Sequence, residues 1–305
     1  MTTTKRREPT LIGRTEELEQ LRACISAFRN VLLEGPVGVG KTHLALAVTR
    51  ELKRPVFRID GDSRYTEQKL SGWFDPPTVI KKGYSADSFV AGPLVEAMRA
   101  GGILFINELN RLPEGVQNVL LPAIDEKMVH VPRLGEIRAA DGFSVIATQN
   151  PKEFVATSHL SEAILDRFEL VVIDYQSEEE EMEIVSSRLR DLPSTPVTKK
   201  YDRFLPMAAV RLARLTRDHE KVRRGASVRA ALAVAEITQV FLTQGKAIEP
   251  AFRTAALLAL PTRIEIERDS ETEGSLHEEV SGMVRDWVDE VLGGIEQGVP
   301  SKKKT

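Results

Sequence analysis

The chain has 305 residues, 42% of them hydrophobic, and its 42 basic and 45 acidic side chains leave a net charge of −3. This length suits about two domains with ordinary buried cores and excludes a disordered chain, while the charge balance gives no general attraction to nucleic acid or an anionic membrane surface. One cysteine, Cys24, excludes an internal disulfide, fits a reducing compartment, and falls in an amphipathic stretch (residues 16–28) that predicts a buried thiol.

Residues 1–9 are polar and basic with no apolar run behind them. No later stretch approaches the roughly 20 apolar residues of a membrane span, which predicts a soluble, cytoplasmic protein without membrane contact. Ile12-Gly13-Arg14 leads into Thr15, which can cap a helix over residues 16–28, although Leu18 stands where a full capping box needs Glu or Gln. Val31-Leu32-Leu33-Glu34 then reads as a short buried strand. The next eight residues, Gly35-Pro36-Val37-Gly38-Val39-Gly40-Lys41-Thr42, fill the pattern G-x-x-x-x-G-K-[ST] without a mismatch, and residues 42–52 continue with apolar positions at helical spacing. Strand, glycine loop and helix in this order are what phosphate binding needs. The glycines let backbone N–H groups converge on phosphate, the helix N-terminus adds partial positive charge, and Lys41 adds a full one. Thr42 is placed to offer its hydroxyl to Mg²⁺.

A second strand (residues 55–59) ends in Asp60-Gly61-Asp62, and residues 66–73 have helical character. Two prolines and a glycine in residues 74–84 interrupt regular helix and predict an insertion, a hairpin or loop, near residues 74–92. Pro93 opens a helix that Gly101-Gly102 stops. A third strand, residues 102–106, runs into Asn107-Glu108. Parallel sheets hold ligands at the carboxyl ends of their strands, so this pair is expected to face the glycine loop. A helix over residues 112–125 and a hairpin over 129–138 precede a fourth strand (144–147) ending in Thr148-Gln149-Asn150-Pro151, and residues 170–173 supply a fifth. The alternation predicts an α/β P-loop domain, three layers with a parallel five-stranded sheet, over residues 1–176.

Glu178 to Glu181 are four consecutive acids, read as the solvated first turn of a helix. Beyond them the pattern is all-helical, predicting a small lid domain over residues 177–268 in which Ser227 caps one helix and Gly245 stops it. Residues 269–305 form a third segment, a disordered tail after a helix whose Leu276, Val280, Met283, Val284, Trp287, Val288, Val291 and Leu292 make an apolar stripe. That stripe is expected to pack on the body rather than on a partner.

In this order and spacing, Ile12-Gly13-Arg14, the loop at 35–42, Asn107-Glu108-Leu-Asn-Arg111, Ala147-Thr-Gln-Asn150-Pro, Leu165-Asp-Arg167-Phe and Gly225-Ala-Ser-Val-Arg229 resemble the MoxR-type AAA+ ATPases. These belong to the group that includes the magnesium-chelatase motor subunit and carries an insertion near its second helix. The resemblance covers roughly residues 11–264. It implies ATP and Mg²⁺ as cofactors and a homo-oligomeric ring, usually a hexamer. By the same resemblance Glu108 is the base that activates water, Asn150 is sensor 1, Arg167 the arginine finger and Arg229 sensor 2. The competing accounts are an amide capping the Asn-Pro turn for Asn150 and surface ion pairs for the two arginines. Local structure is the favoured account of Arg14, His43, Asp62 and Arg111, although His43 is kept with Ile12 and Gly13 among candidate nucleotide contacts. In one place the chain departs from the family: the residue before Glu108 is usually Asp, whose carboxylate holds a Mg²⁺-bound water. Asn107 can accept that hydrogen bond but lacks the charge.

The leading expectation is an ATP-driven remodeller of a client protein, because no part of the chain looks like a second catalytic domain. MoxR-type ATPases are typically paired with von Willebrand factor A domain proteins, a partner implied by resemblance alone. A nucleotide-dependent scaffold with weak turnover is the alternative that Asn107 supports. A DNA motor is a third reading, opposed by the acidic net charge and the lack of a recognisable DNA-binding module.

Overall fold

The computed structural model describes residues 11–150, 160–267 and 275–296, and residues 1–9, Pro151 and the C-terminal tail named above lie outside them. The chain divides into two compact units, one ending at Asp174 and the other beginning at Tyr175.

In the first unit α1 (Thr15–Ser26) precedes β1 (Val31–Glu34), α2 (Lys41–Glu51) and β2 (Val56–Asp60). Next come α3 (Glu67–Ser71), β3 (Gly72–Phe74), α4 (Pro76–Lys82), β4 (Phe89–Ala91), α5 (Pro93–Arg99) and β5 (Ile103–Asn107). The unit continues through α6 (Glu114–Asp125), β6 (Met128–Val131), β7 (Gly135–Arg138), β8 (Ser144–Gln149), α7 (Glu162–Leu165) and β9 (Glu169–Val172). Five strands form a parallel sheet in the order β2-β5-β8-β1-β9. Its inner strands are apolar without alternation, and Val31, Leu32 and Leu33, Ile103 to Ile106, and Val145 to Ala147 are all buried. Such runs are what a sheet covered on both faces requires, each fully buried aliphatic side chain contributing about 1.5–3 kcal/mol. Register decides the site. Asp60 pairs with Asn107 across β2 and β5, and Leu33 and Glu34 pair with Thr148 and Gln149 across β1 and β8. Polar residues from four strands therefore gather at one end of an apolar sheet.

Three local expectations change. Helix α1 begins at Thr15 after Arg14 in the left-handed region, so Thr15 is its first residue rather than its cap. The insertion is an antiparallel β3–β4 hairpin, but the proline-rich segment between the strands is helical. Asp75 caps α4 by accepting from Thr78 N at 3.1 Å, and Pro76 and Pro77 occupy first-turn positions where no N–H is needed. Cys24 is half-buried, its thiol pushed up by burial first and by the Glu169 charge second.

The second unit holds α8 (Glu178–Arg190), α9 (Pro196–Lys199), α10 (Phe204–Asp218), β10 (Val222–Arg224), α11 (Val228–Thr243), α12 (Ile248–Ala259), β11 (Glu265–Ile266) and α13 (Leu276–Glu296). It is not wholly helical, since β10 and β11 pair as a short antiparallel ribbon. Ser227 precedes α11 but its side chain makes no capping hydrogen bond, whereas Gly245 follows that helix at φ 87°, as a left-handed stop should. Val280, Val284, Trp287, Val288 and Val291 of α13 are buried in the same core as Phe252, Leu205 and Ala209, so the stripe packs on α10 and α12. Glu181 departs most from expectation. It is buried among the helices rather than solvated, 2.7 Å from Arg217 and 3.4 Å from Arg214.

Candidate functional site

The loop between β1 and α2 takes its shape from glycine. Gly40 sits at the N-cap of α2 with φ 95°, a left-handed conformation that other residues adopt at a cost, and no side chain caps the helix. The N-terminus of α2 thus faces the loop without a side-chain cap, as anion-binding helices do, and the Lys41 ammonium lies beside it, donating to the Gly35 and Pro36 carbonyls at 2.7 and 2.8 Å. Gly35, Pro36, Val37, Gly38, Val39, Gly40, Lys41 and Thr42 accordingly form one continuous cradle.

Upstream, Gly13 and Arg14 are successive left-handed residues at φ 68° and 63° that turn the chain after Ile12. The buried Arg14 guanidinium donates to the Val39 carbonyl at 3.2 Å and also to the Asp174 carbonyl, bracing the loop from below. His43 is half-buried in the first turn of α2.

Thr42 donates its hydroxyl to Asn107 Oδ1 at 2.9 Å, joining the loop to the end of β5. The Asn107 oxygen accepts a second bond from Thr148 at 3.2 Å, and the Asn107 amide nitrogen donates to Asp60 Oδ1 at 3.0 Å. Thr148, fully buried at the end of β8, also accepts from the Glu108 backbone N–H at 2.9 Å. That bond fixes Glu108 in an uncommon left-handed conformation, φ 60° and ψ 57°, which ends the strand abruptly. The Glu108 carboxylate is partly exposed and lies 3.0 Å from Arg111 Nε.

Gly61 makes this corner possible. Its N–H donates to the Asn107 carbonyl at 2.7 Å, and a Cβ there would stand 2.1 Å from the Glu108 carbonyl oxygen. Asp60, held in line by that contact, also accepts from Arg58 at 2.7 Å. The Arg58 bond chiefly, and the Asn107 bond with it, hold the Asp60 carboxyl below the usual carboxylate range. Asp62 is turned away and bonds Arg64 on its own turn.

Asn150, buried just beyond β8, accepts at its carbonyl from Asn110 Nδ2 at 3.5 Å. Arg167 is not beside the loop. Its guanidinium donates to the Ala163 carbonyl at 2.6 Å and pairs with Asp125 at 2.7 Å. Arg229 is exposed in the first turn of α11, in the second unit. Loop, Thr42, Asn107 and Glu108 are thus brought together, with Asp60 and Thr148 as members whose bonds the motifs did not signal.

The donor set fits a nucleotide with a divalent cation. A glycine cradle, an ammonium and a helix N-terminus that no side chain caps suit a polyphosphate, and Thr42 suits the metal. Among the described residues no group of three or more His, Cys, Asp or Glu side chains gathers to bind a metal. A cation here would share its coordination with phosphate and water, as Mg²⁺ does.

Comparison with known proteins agrees with this geometry. Residues 30–168 match the family described as the AAA domain of the dynein-related subfamily. The matched segment runs from just before β1 to just before β9. The chain is 32% identical over 238 residues to the gas vesicle ATPase GvpN of Haloferax mediterranei, covering 73% of this chain and 65% of that one. It is 33% identical over 159 residues to an uncharacterized protein of Staphylococcus epidermidis, covering 52% and 60%. It therefore spans less than two thirds of the length of these relatives. Among solved structures, a mutant of RuvB from Thermotoga maritima superposes with a TM-score of 0.56 at 19% identity, over 83% of this chain and 73% of that one. This likeness is one of fold, and it extends beyond the matched residues. No helix among the described residues is long and apolar enough to cross a membrane.

Proposed function

We propose that this AAA domain binds ATP with Mg²⁺ and hydrolyses it, and that the protein is a cytoplasmic, MoxR-type motor which remodels or matures a partner protein. The observation that carries the reading is the hydrogen-bonded chain from Thr42 through Asn107 and Thr148 to Glu108, which ties the phosphate cradle to a partly exposed carboxylate placed to activate water. In this account Lys41 and the first-turn N–H groups hold the β- and γ-phosphates, Thr42 contacts the metal, and Glu108, released from Arg111, takes the proton of the attacking water. Asn150 orients that water as sensor 1. Ile12, Gly13 and His43 contact the rest of the nucleotide, and Arg229 senses it from the second unit. Two relatives' names, both gas vesicle ATPases, support turnover. The protein acts as a homo-oligomer, a hexameric ring, with a von Willebrand factor A domain protein as the partner type that the sequence resemblance suggests. Trp73, Ile80, Tyr84 and Val90 are exposed on or beside the β3–β4 insertion, apolar surface of the kind that contacts protein.

Arg167 completes the site of a neighbouring subunit, after leaving Asp125, and stabilises transition-state charge, an effect worth about 10³–10⁵ in rate for arginine fingers. The test mixes two inactive variants. Arg167→Ala keeps its loop and Glu108, and Lys41→Ala keeps its finger, so mixed rings regain phosphate release that neither shows alone. Inactive mixtures in rings shown to be mixed, or wild-type turnover by Arg167→Ala alone, would contradict the assignment.

A second reading, a nucleotide-gated scaffold with negligible turnover, is favoured by the amide at Asn107 and by the Glu108–Arg111 ion pair. It predicts tight ATP binding without steady-state phosphate release.

A further inference from the structure

We propose that Asp60 supplies, through the Asn107 amide, the negative charge that position 107 itself lacks, so that Asp60 and Asn107 together strengthen the hold on a nucleotide-bound divalent cation. The proposal rests on the nucleotide reading above and deepens it.

Besides Asp60, the carboxylates near the ends of β1, β2 and β5 are engaged elsewhere. Glu34 accepts from Gln149, Asp62 from Arg64, and Glu108 pairs with Arg111. Asp60 is paired with Arg58, and among these carboxylates it is the one bonded to the Asn107 side chain. The strand register favours this contact, because Asp60 and Asn107 are paired neighbours on parallel strands, and the absent Cβ at Gly61 lets the two strand ends stay in contact.

The direction of the hydrogen bonds matters. Asn107 donates through nitrogen to the carboxylate and accepts through oxygen from Thr42. An anion at the N–H end polarises an amide toward its oxygen, so Oδ1 becomes a stronger acceptor for the Thr42 hydroxyl proton. With its proton committed to Asn107, the Thr42 oxygen turns its lone pairs toward the metal. Asp60 Oδ1 takes both bonds, from Arg58 and from Asn107, leaving Oδ2 to solvent and to any metal-bound water within reach. Asp60 is thus a positioning residue acting through Asn107. The arrangement also implies that Asn107→Asp alone gains little, since it would set two carboxylates about 3 Å apart, where like charges cannot both remain ionised without cost.

The experiment measures ATP affinity twice for each protein, once with excess Mg²⁺ and once with EDTA, by equilibrium titration that needs no turnover. Wild type binds more tightly with Mg²⁺. Asp60→Asn loses about tenfold of that gain, the order expected for one charge acting on a cation near the surface, while its affinity in EDTA and its melting temperature stay close to wild type. The double exchange Asp60→Asn with Asn107→Asp restores the Mg²⁺ gain, because it returns one carboxylate and one amide to the same bond. A full Mg²⁺ gain in Asp60→Asn overturns the inference, as does an equal loss in EDTA, which would mark Asp60 as merely structural. If wild type binds no ATP under either condition, the nucleotide reading falls and this inference with it.

Discussion

Two clusters of charge divide the molecule's polar chemistry, and they are built in opposite ways. In the second unit Glu181 is 2% exposed and takes two guanidinium partners, Arg217 and Arg214, while Arg217 also donates to the Ala226 carbonyl and stacks over Tyr175. Every charge there is answered from within the fold. At the carboxyl ends of the sheet, Asp60, Glu108 and Lys41 instead remain within reach of solvent, and the Thr42 hydroxyl from the loop and the Thr148 hydroxyl from β8 converge on the Asn107 oxygen between them. A buried ion pair that the protein completes for itself holds elements in place; a partly hydrated, hydrogen-bonded cluster beside a glycine cradle is arranged for something that arrives from outside.

The largest effect that would break this contrast is expected at Glu181. Glu181→Ala leaves two guanidinium groups facing a buried gap and should cost about 3–5 kcal/mol of stability, read as a large fall in the midpoint of chemical unfolding. ATP affinity per folded molecule should be unchanged. A mild change in stability would mean that the arginines find other partners and that the cluster is as open as the one on the sheet.

Gly61→Ala comes next and works in the reverse sense. Its Cβ would meet the Glu108 carbonyl at 2.1 Å, forcing the ends of β2 and β5 apart at a cost of about 1–3 kcal/mol. Because that shift separates Asp60 from Asn107 and moves Glu108, turnover should fall further than stability. Equal, proportionate losses in the two would indicate that the corner serves the fold alone.

Much of this was legible in the sequence because the signals were local. The glycine loop lies directly between its strand and its helix, and the polar pair directly follows the apolar residues 103–106, so each is placed at the end of a strand by its immediate neighbours. What escaped detection depends on pairing between strands. Asp60 follows an ordinary apolar strand, and nothing nearby marks it; it matters only because it lies beside Asn107 in register. Thr148 was visible within the stretch preceding Asn150, yet its two bonds, one to the Asn107 side chain and one to the Glu108 backbone, could not be inferred from spacing. The same limit explains Glu181: four consecutive acids look alike in a sequence, and only packing against α10 buries the last of them. Pro76 and Pro77 mislead for a different reason, since prolines that break a helix in its middle are welcome in its first turn behind a cap such as Asp75.

The account's central claim is that Glu108 activates water for attack on a nucleotide held by the loop at residues 35–42. It is tested most directly by measuring ATP affinity and steady-state phosphate release side by side in wild type and Glu108→Gln. The account predicts unchanged affinity with turnover reduced by about 10² or more, the range typical of removing a general base. Equal turnover in the two proteins would contradict it.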